Sequence, residues 1–166
     1  MLIRFKVSNF LSFKEETEFS MVAGNERIHS NHVVKGKKNQ PNLLRAALLY
    51  GANAAGKSNF VKAIDYARYK ILYSGKLRDN LNEKYLGRSL SFRFDEWGVE
   101  GSSFEFEFIS NDSVYIYAFE DEGNLVLSEK LVKVENDKEV LLFERESDYT
   151  GETKFSETNF PKKKIR

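Results

Sequence analysis

The chain has 166 residues, 41% of them apolar and 14% aromatic, with 26 basic and 25 acidic side chains and a net charge of +1. That is enough apolar material for the core of one domain. There is no cysteine and there are only two histidines, His29 and His32, so a disulfide framework and a thiolate metal site are excluded and a zinc site would need carboxylate help.

The opening "MLIRFKVSNFLSF" alternates apolar and polar residues and lacks the apolar core of a signal peptide, and no run approaches the roughly 20 apolar residues of a membrane span. The expectation is a soluble, cytoplasmic protein with no membrane partner. The charge is unevenly spread: residues 1–70 carry 12 basic and 5 acidic side chains, residues 71–161 carry 10 and 20, and the tail 162–166 adds 4 basic ones. A basic first half permits contact with DNA, and it reads equally as solvated loop around "KGKKNQ".

In chain order, Ile3, Phe5 and Val7, then Phe10 and Phe13, then Phe19 and Met21 predict two strands over residues 1–22 around a turn near Ser8 and Asn9. Residues 23–42 read as a long polar loop with a short strand at Val33 and Val34. "LLRAALLY" is a largely apolar run of the kind expected of a strand buried on both faces. After Gly56, Phe60, Val61, Ile64, Ala67 and Ile71 recur near the helical period, predicting a helix that starts at Ser58 or Asn59 and ends before Gly75. Five strands follow over 89–146, at "SFRFDEW", "SSFEFEFIS", "SVYIYAFED", "NLVLSEKLVKVEN" and "EVLLFERE", separated by hairpin-type breaks such as "NDS", "DEGN" and "NDK". The basic tail 162–166 is expected to add no element.

The chemistry is concentrated in "GANAAGKS", Gly51 to Ser58, which fits G-x-x-x-x-G-K-[ST] between an expected buried strand and an expected helix. Gly51 and Gly56 give conformational freedom, while Ala52, Asn53, Ala54 and Ala55 keep the loop compact enough for successive backbone N–H groups to wrap phosphate oxygens. The helix N-terminus, with Asn59 in its first turn, adds unpaired N–H groups and a favourable dipole. Lys57 brings an ammonium to the β- and γ-phosphates, and Ser58 is the natural Mg²⁺ ligand. The cofactors expected are therefore ATP and Mg²⁺.

A second, acidic strand is the usual partner of such a loop. The run from Val114 to Glu120, Asp121 and Glu122 is the best candidate, but its alternation reads as a hairpin strand and "DEGN" as its turn. The residue pairs Asp95 and Glu96, Glu105 and Glu107, and His29 and His32 read as ordinary surface side chains. No catalytic residue is identified.

Together, "LIRFKVSNFLSFKEETEFSMVAG", "AALLYGANAAGKSNFVKAI", "SFRFD", "FEFEF", "YIYAFE", "LSEKL" and "LFERE" resemble the N-terminal part of the AAA-labelled ATPases with ABC-type heads, similar to SMC-like and DNA-repair ATPases, AbiLii-like abortive-infection ATPases and overcoming-lysogenization-defect nucleases. The resemblance implies an α/β P-loop NTPase head lobe, a strand–P-loop–helix core under an antiparallel β-meander, spanning 1–166 as one ATP-binding unit with the P-loop strand and helix at 43–74. It places Asn9, Phe10, Ser12 and Phe13 on the adenine and ribose side, although two core phenylalanines at a strand turn read equally well. It further implies a DNA-directed or anti-phage role and a homo-oligomeric intact protein.

The departures matter. Gln40 is the only glutamine and precedes the P-loop, and there is no signature segment and no apolar strand ending convincingly in "DE". The expectation is a first lobe only, with the rest of the head supplied by a second half or a partner head, and with ATP binding but little turnover. A small complete kinase or GTPase, with the Val114–Asp121 run as its acidic strand, and a non-catalytic interaction module with a vestigial P-loop remain alternatives. "NDKE" at Asn136 does not match a GTPase base reader.

Overall fold

The computed structural model describes residues 1–25, 29–37, 39–73, 90–92, 101–123, 125–136 and 138–158. The expected strand "SFRFDEW" beyond Phe92 and the basic tail 162–166 lie outside the described residues.

Alternation at the N-terminus gives β1 (Leu2–Ser8), followed by β2 (Thr17–Ser20). The polar loop carries β3 (Val33–Val34), which pairs with β4 (Leu43–Leu44) to form a small two-stranded sheet. The helix α1 runs from Lys57–Tyr73. Four long or medium strands complete the fold as a meander: β5 (Ser102–Ser110), β6 (Ser113–Glu122), β7 (Leu125–Glu135) and β8 (Lys138–Ser147), with β9 (Thr153–Thr158) at its far edge. The main sheet has seven strands in the order β2-β1-β5-β6-β7-β8-β9, and every pairing in it is antiparallel.

Register fixes which face each side chain takes. Phe5 stands opposite Phe19 on β2 and Phe106 on β5, and Val7 stands opposite Phe104, so the odd-numbered residues of β1 share one face with the aromatic residues of its neighbours. That face packs against α1: Phe5, Val7, Phe10, Phe104 and Phe119 meet Ala63, Tyr66 and Ala67 in one cluster. Each fully buried phenylalanine contributes roughly 1.5–3 kcal/mol. The even-numbered residues face outward, where Arg4 pairs with Glu107 and Lys6 with Glu105, so those two glutamates serve cross-strand pairing.

Three expectations change. The run 46–50 is not a buried strand: β4 stops at Leu44, Leu48 is 90% exposed and Tyr50 94%. Burial on both faces needs layers packed above and below a strand, and residues 46–50 are exposed instead. The buried side of α1 is Ala63, Tyr66, Ala67 and Lys70, whereas Val61 and Ile71 are exposed. Small alanines let the helix approach Phe10 and Phe104 closely, and that contact selects the face more strongly than apolar spacing does. Finally, "TKFSET" is too polar to signal a strand, yet it forms β9 and pairs with β8 through its backbone.

Candidate functional site

The loop Gly51–Gly56 joins the exposed run to α1. Ala54 at φ 66 and Gly56 at φ 86 take left-handed backbone, and the Ala55 N–H donates to the Ala52 carbonyl at 3.3 Å, so the segment curls into a compact turn. The first helical hydrogen bond runs from the Phe60 N–H to the Gly56 carbonyl at 2.9 Å. The N–H groups of the residues just before Phe60 open the helix with no preceding turn to receive them, which makes this end an anion-seeking one.

Lys57 folds back over the loop, its Nζ donating to the carbonyl oxygens of Gly51 at 2.7 Å and Ala52 at 2.6 Å. Those are exchangeable backbone acceptors, so a phosphate can replace them without leaving a buried charge. Ser58 is exposed at the start of the helix. A Cβ on Gly56 would lie 3.4 Å from Ser12 Oγ and 4.0 Å from Phe13 Cζ, so the loop and the β1–β2 connection meet at van der Waals distance there.

The sequence candidates in that connection divide. Asn9 is built into the fold: its Nδ2 donates to the Gly101 carbonyl at 3.3 Å, its Oδ1 accepts from the Phe92 N–H at 3.1 Å, and its carbonyl accepts from Ser102 Oγ at 2.6 Å. Phe10 is wholly buried, its ring 5.2 Å from Tyr66 and 5.3 Å from Phe104. Ser12 and Phe13 instead reach the phosphate loop, and Asn59 Nδ2 donates to Ser12 Oγ at 3.0 Å. Phe10 and Phe13 exchange backbone hydrogen bonds of 2.9 and 2.8 Å around a two-residue turn, in which Leu11 sits at φ 51. A branched residue there costs on the order of 1 kcal/mol or more, and the Leu11 N–H bond of 2.7 Å to the Leu90 carbonyl helps to hold it.

The acidic trio lies elsewhere. Glu120, Asp121 and Glu122 end β6, and Asp121 is 2% exposed, not a solvated turn residue. Its Oδ2 accepts from Tyr66 Oη at 2.7 Å and from Lys70 Nζ at 2.6 Å, and Lys70 also donates to the Gly123 carbonyl. Burial raises the Asp121 carboxyl above its ordinary range, with Lys70 and Tyr66 pulling it partway back; burial and the adjacent carboxylate raise the Tyr66 hydroxyl. Lys70 follows Ser58 by three turns of helix, about 18 Å along the axis, so Asp121 is far from any metal at Ser58.

Sequence reasoning missed this network. Its signal was a lysine on the same helical stripe as Ala63 and Ala67, which burial obliges to find an acid. It also missed Glu129, which accepts from Tyr117 Oη and from Arg145 Nε at 2.5 Å and so ties β7 to β6 and β8. His29 and His32 are exposed, with ring centroids 5.8 Å apart. Among the described residues no group of three His, Cys, Asp or Glu side chains is arranged to hold a metal ion, and no helix is long and apolar enough to cross a membrane.

Residues 46–159 match the model of a protein family described as "AAA domain, putative AbiEii toxin, Type IV TA system". The match takes in the phosphate loop, α1 and the meander, and it begins after the Asn9–Phe13 connection. No curated protein matches the chain.

Proposed function

The chain belongs to this AAA-domain family, and on that premise we propose that it binds MgATP on the loop Gly51–Ser58 as part of an ABC-type ATPase head. The observation that carries the reading is the phosphate loop itself: a curled glycine turn delivering Lys57 and the open N-terminus of α1 to one place. On binding, the Lys57 ammonium leaves the carbonyls of Gly51 and Ala52 for the β- and γ-phosphates. The backbone N–H groups of residues 52–58 would hold the phosphate oxygens, and the Ser58 hydroxyl would hold Mg²⁺, which would neutralise charge on the phosphates. Ser12 and Phe13 lie beside Gly56, and their assignment to the adenine and ribose side rests on the family resemblance.

Head assembly has its own support. Leu48, Leu49, Tyr50, Val61 and Leu72 are all exposed, on the run leading into the loop and on the outer face of α1. An apolar run with no strand beside it among the described residues fits a nucleotide-bearing strand whose sheet is completed by further strands, from a second half or a partner head. The rest of the mechanism follows from what the loop grips. It holds phosphates already present in the ground state, whereas acceleration needs a positioned water and charge at the γ-phosphate in the transition state. The chain therefore binds ATP and turns it over slowly, and head closure in the assembled protein supplies the missing groups. A role in DNA-directed or anti-phage defence rests on the family resemblance alone.

Titration of a fluorescent ATP analogue tests the reading. Lys57→Ala should bind at least tenfold more weakly, because one charge-assisted contact is worth roughly 1.5–3 kcal/mol. Equal affinities in the two proteins would end the assignment. Phosphate release by the purified chain should stay well under one turnover per second, the low end for working enzymes.

A further inference from the structure

The connection 9–13 is anchored from beneath by Asn9, Phe10 and the Leu11 N–H. Ser12 and Phe13 reach out of that frame to Gly56, and Ser12 Oγ also receives the hydrogen bond from Asn59 Nδ2 at 3.0 Å. Asn59 lies in the first turn of α1, two residues after Lys57. We infer that Asn59 and Ser12 form a clasp that couples the 9–13 turn to the occupancy of the phosphate loop, with Asn59 acting as a positioning residue rather than a ligand contact. The inference deepens the ATP-binding reading and rests on it for its ligand.

The argument runs through the backbone. Leu11 is held at φ 51, a conformation it leaves if its surroundings loosen, and relaxation there would carry Ser12 away from Gly56. The Asn59 amide opposes that movement by tying the turn to the helix. Phosphates drawn onto the N–H groups around Lys57 and Ser58 fix the first turn of α1, and with it Asn59. The amide then passes that rigidity to Ser12 and to the mutual hydrogen bonds of Phe10 and Phe13. The turn responds to nucleotide through the Asn59–Ser12 hydrogen bond, a coupling through local order rather than through a moving domain.

Hydrogen exchange at the Phe10 and Phe13 amides reads the clasp directly, in the full chain with and without a non-hydrolysable ATP analogue and Mg²⁺. Without nucleotide, Asn59→Ala and Ser12→Ala should each speed exchange at both amides by about fivefold, the worth of one modest hydrogen bond. The double variant should be no faster than either single one, and Ser12→Thr, which keeps the hydroxyl, should stay near wild type. With nucleotide, wild type should gain protection at residues 52–58 and also at Phe10 and Phe13, whereas Asn59→Ala should gain it at 52–58 alone. Unchanged exchange in the ligand-free variants, additive effects in the double variant, or full nucleotide protection of Phe10 and Phe13 in Asn59→Ala would each overturn the clasp. Ligand-free effects as expected, with no protection of wild type by the analogue, would support the clasp and count against the ATP reading alone.

Discussion

Lys70→Met removes the cation from the buried network under α1 while keeping most of the apolar stem. The lysine side chain is 6% exposed and that of Asp121 1%, with 2.6 Å between Nζ and Oδ2, so the substitution leaves a carboxylate in the core with Tyr66 as its remaining donor on that oxygen. Breaking one side of such a pair costs about 3–5 kcal/mol. For a chain of this length each kcal/mol lowers the melting temperature by roughly 2–4 °C, so the variant should melt about 10 °C lower. The sign of the pH dependence follows from Asp121. Its carboxyl is raised in the fold, so its favourable contribution is fully present below the ordinary value near 3.8 and is lost as pH rises through the folded value. Lys70 is one of the groups holding that value down, so Lys70→Met raises it further. The deficit should therefore be larger at pH 7.5 than at pH 5. Urea unfolding followed by circular dichroism, on wild type and variant at both pH values, measures this. Lys70→Met combined with Asp121→Leu should recover most of the loss, since a packed apolar pair is often as stable as a buried ion pair. A loss below about 1 kcal/mol at pH 7.5, or one of equal size at both pH values, would show that the network does not carry the contact.

Gly56→Ala should cost about 1–2 kcal/mol and weaken nucleotide binding, because φ is 86 there, a backbone conformation that a side chain strains; thermal melting and analogue titration check both. Phe10→Ala should lose about 3–5 kcal/mol by urea unfolding and Phe13→Ala much less, since Phe10 is wholly buried and Phe13 only half so; equal losses would contradict the division of that turn into anchor and wall. Leu48→Glu should change stability by no more than about 0.5 kcal/mol, because the side chain is exposed, and should reduce binding of an apolar dye; a large loss would mean that the run is buried in solution.

The features legible in the sequence are those set by local chemistry. "GANAAGKS" specifies its own turn, and hairpin breaks between alternating segments position β5 to β8, because register there depends on nearest neighbours. The run 46–50 reads as a buried strand and is exposed, because burial depends on what packs against a segment and an apolar string carries no record of that. The buried face of α1 differs from the apolar pattern for a related reason: Val61 looks more apolar than Lys70, yet Lys70 is buried against Asp121 and Val61 is exposed. Within the site, Ser12 and Phe13 meet the loop while Asn9 and Phe10 build the floor beneath it, a distinction set by side-chain direction on either side of Leu11.

The strand order has a kinetic consequence. β5 to β9 follow one another along the chain and pair with their immediate neighbours, so the meander assembles by short loop closures, whereas β1 reaches it only through contacts such as Arg4 to Glu107, 103 residues apart. Closing so long a loop is slow, and only after it closes can Ser12 and Phe13 stand against Gly56. The approach of Ser12 and Phe13 to Gly56 is thus expected to form late in folding and to open early in unfolding. A ligand that binds there should slow unfolding and leave the refolding rate nearly unchanged, because the contacts it stabilises are absent from the barrier; a nucleotide that accelerated refolding would place β1 in the nucleus instead.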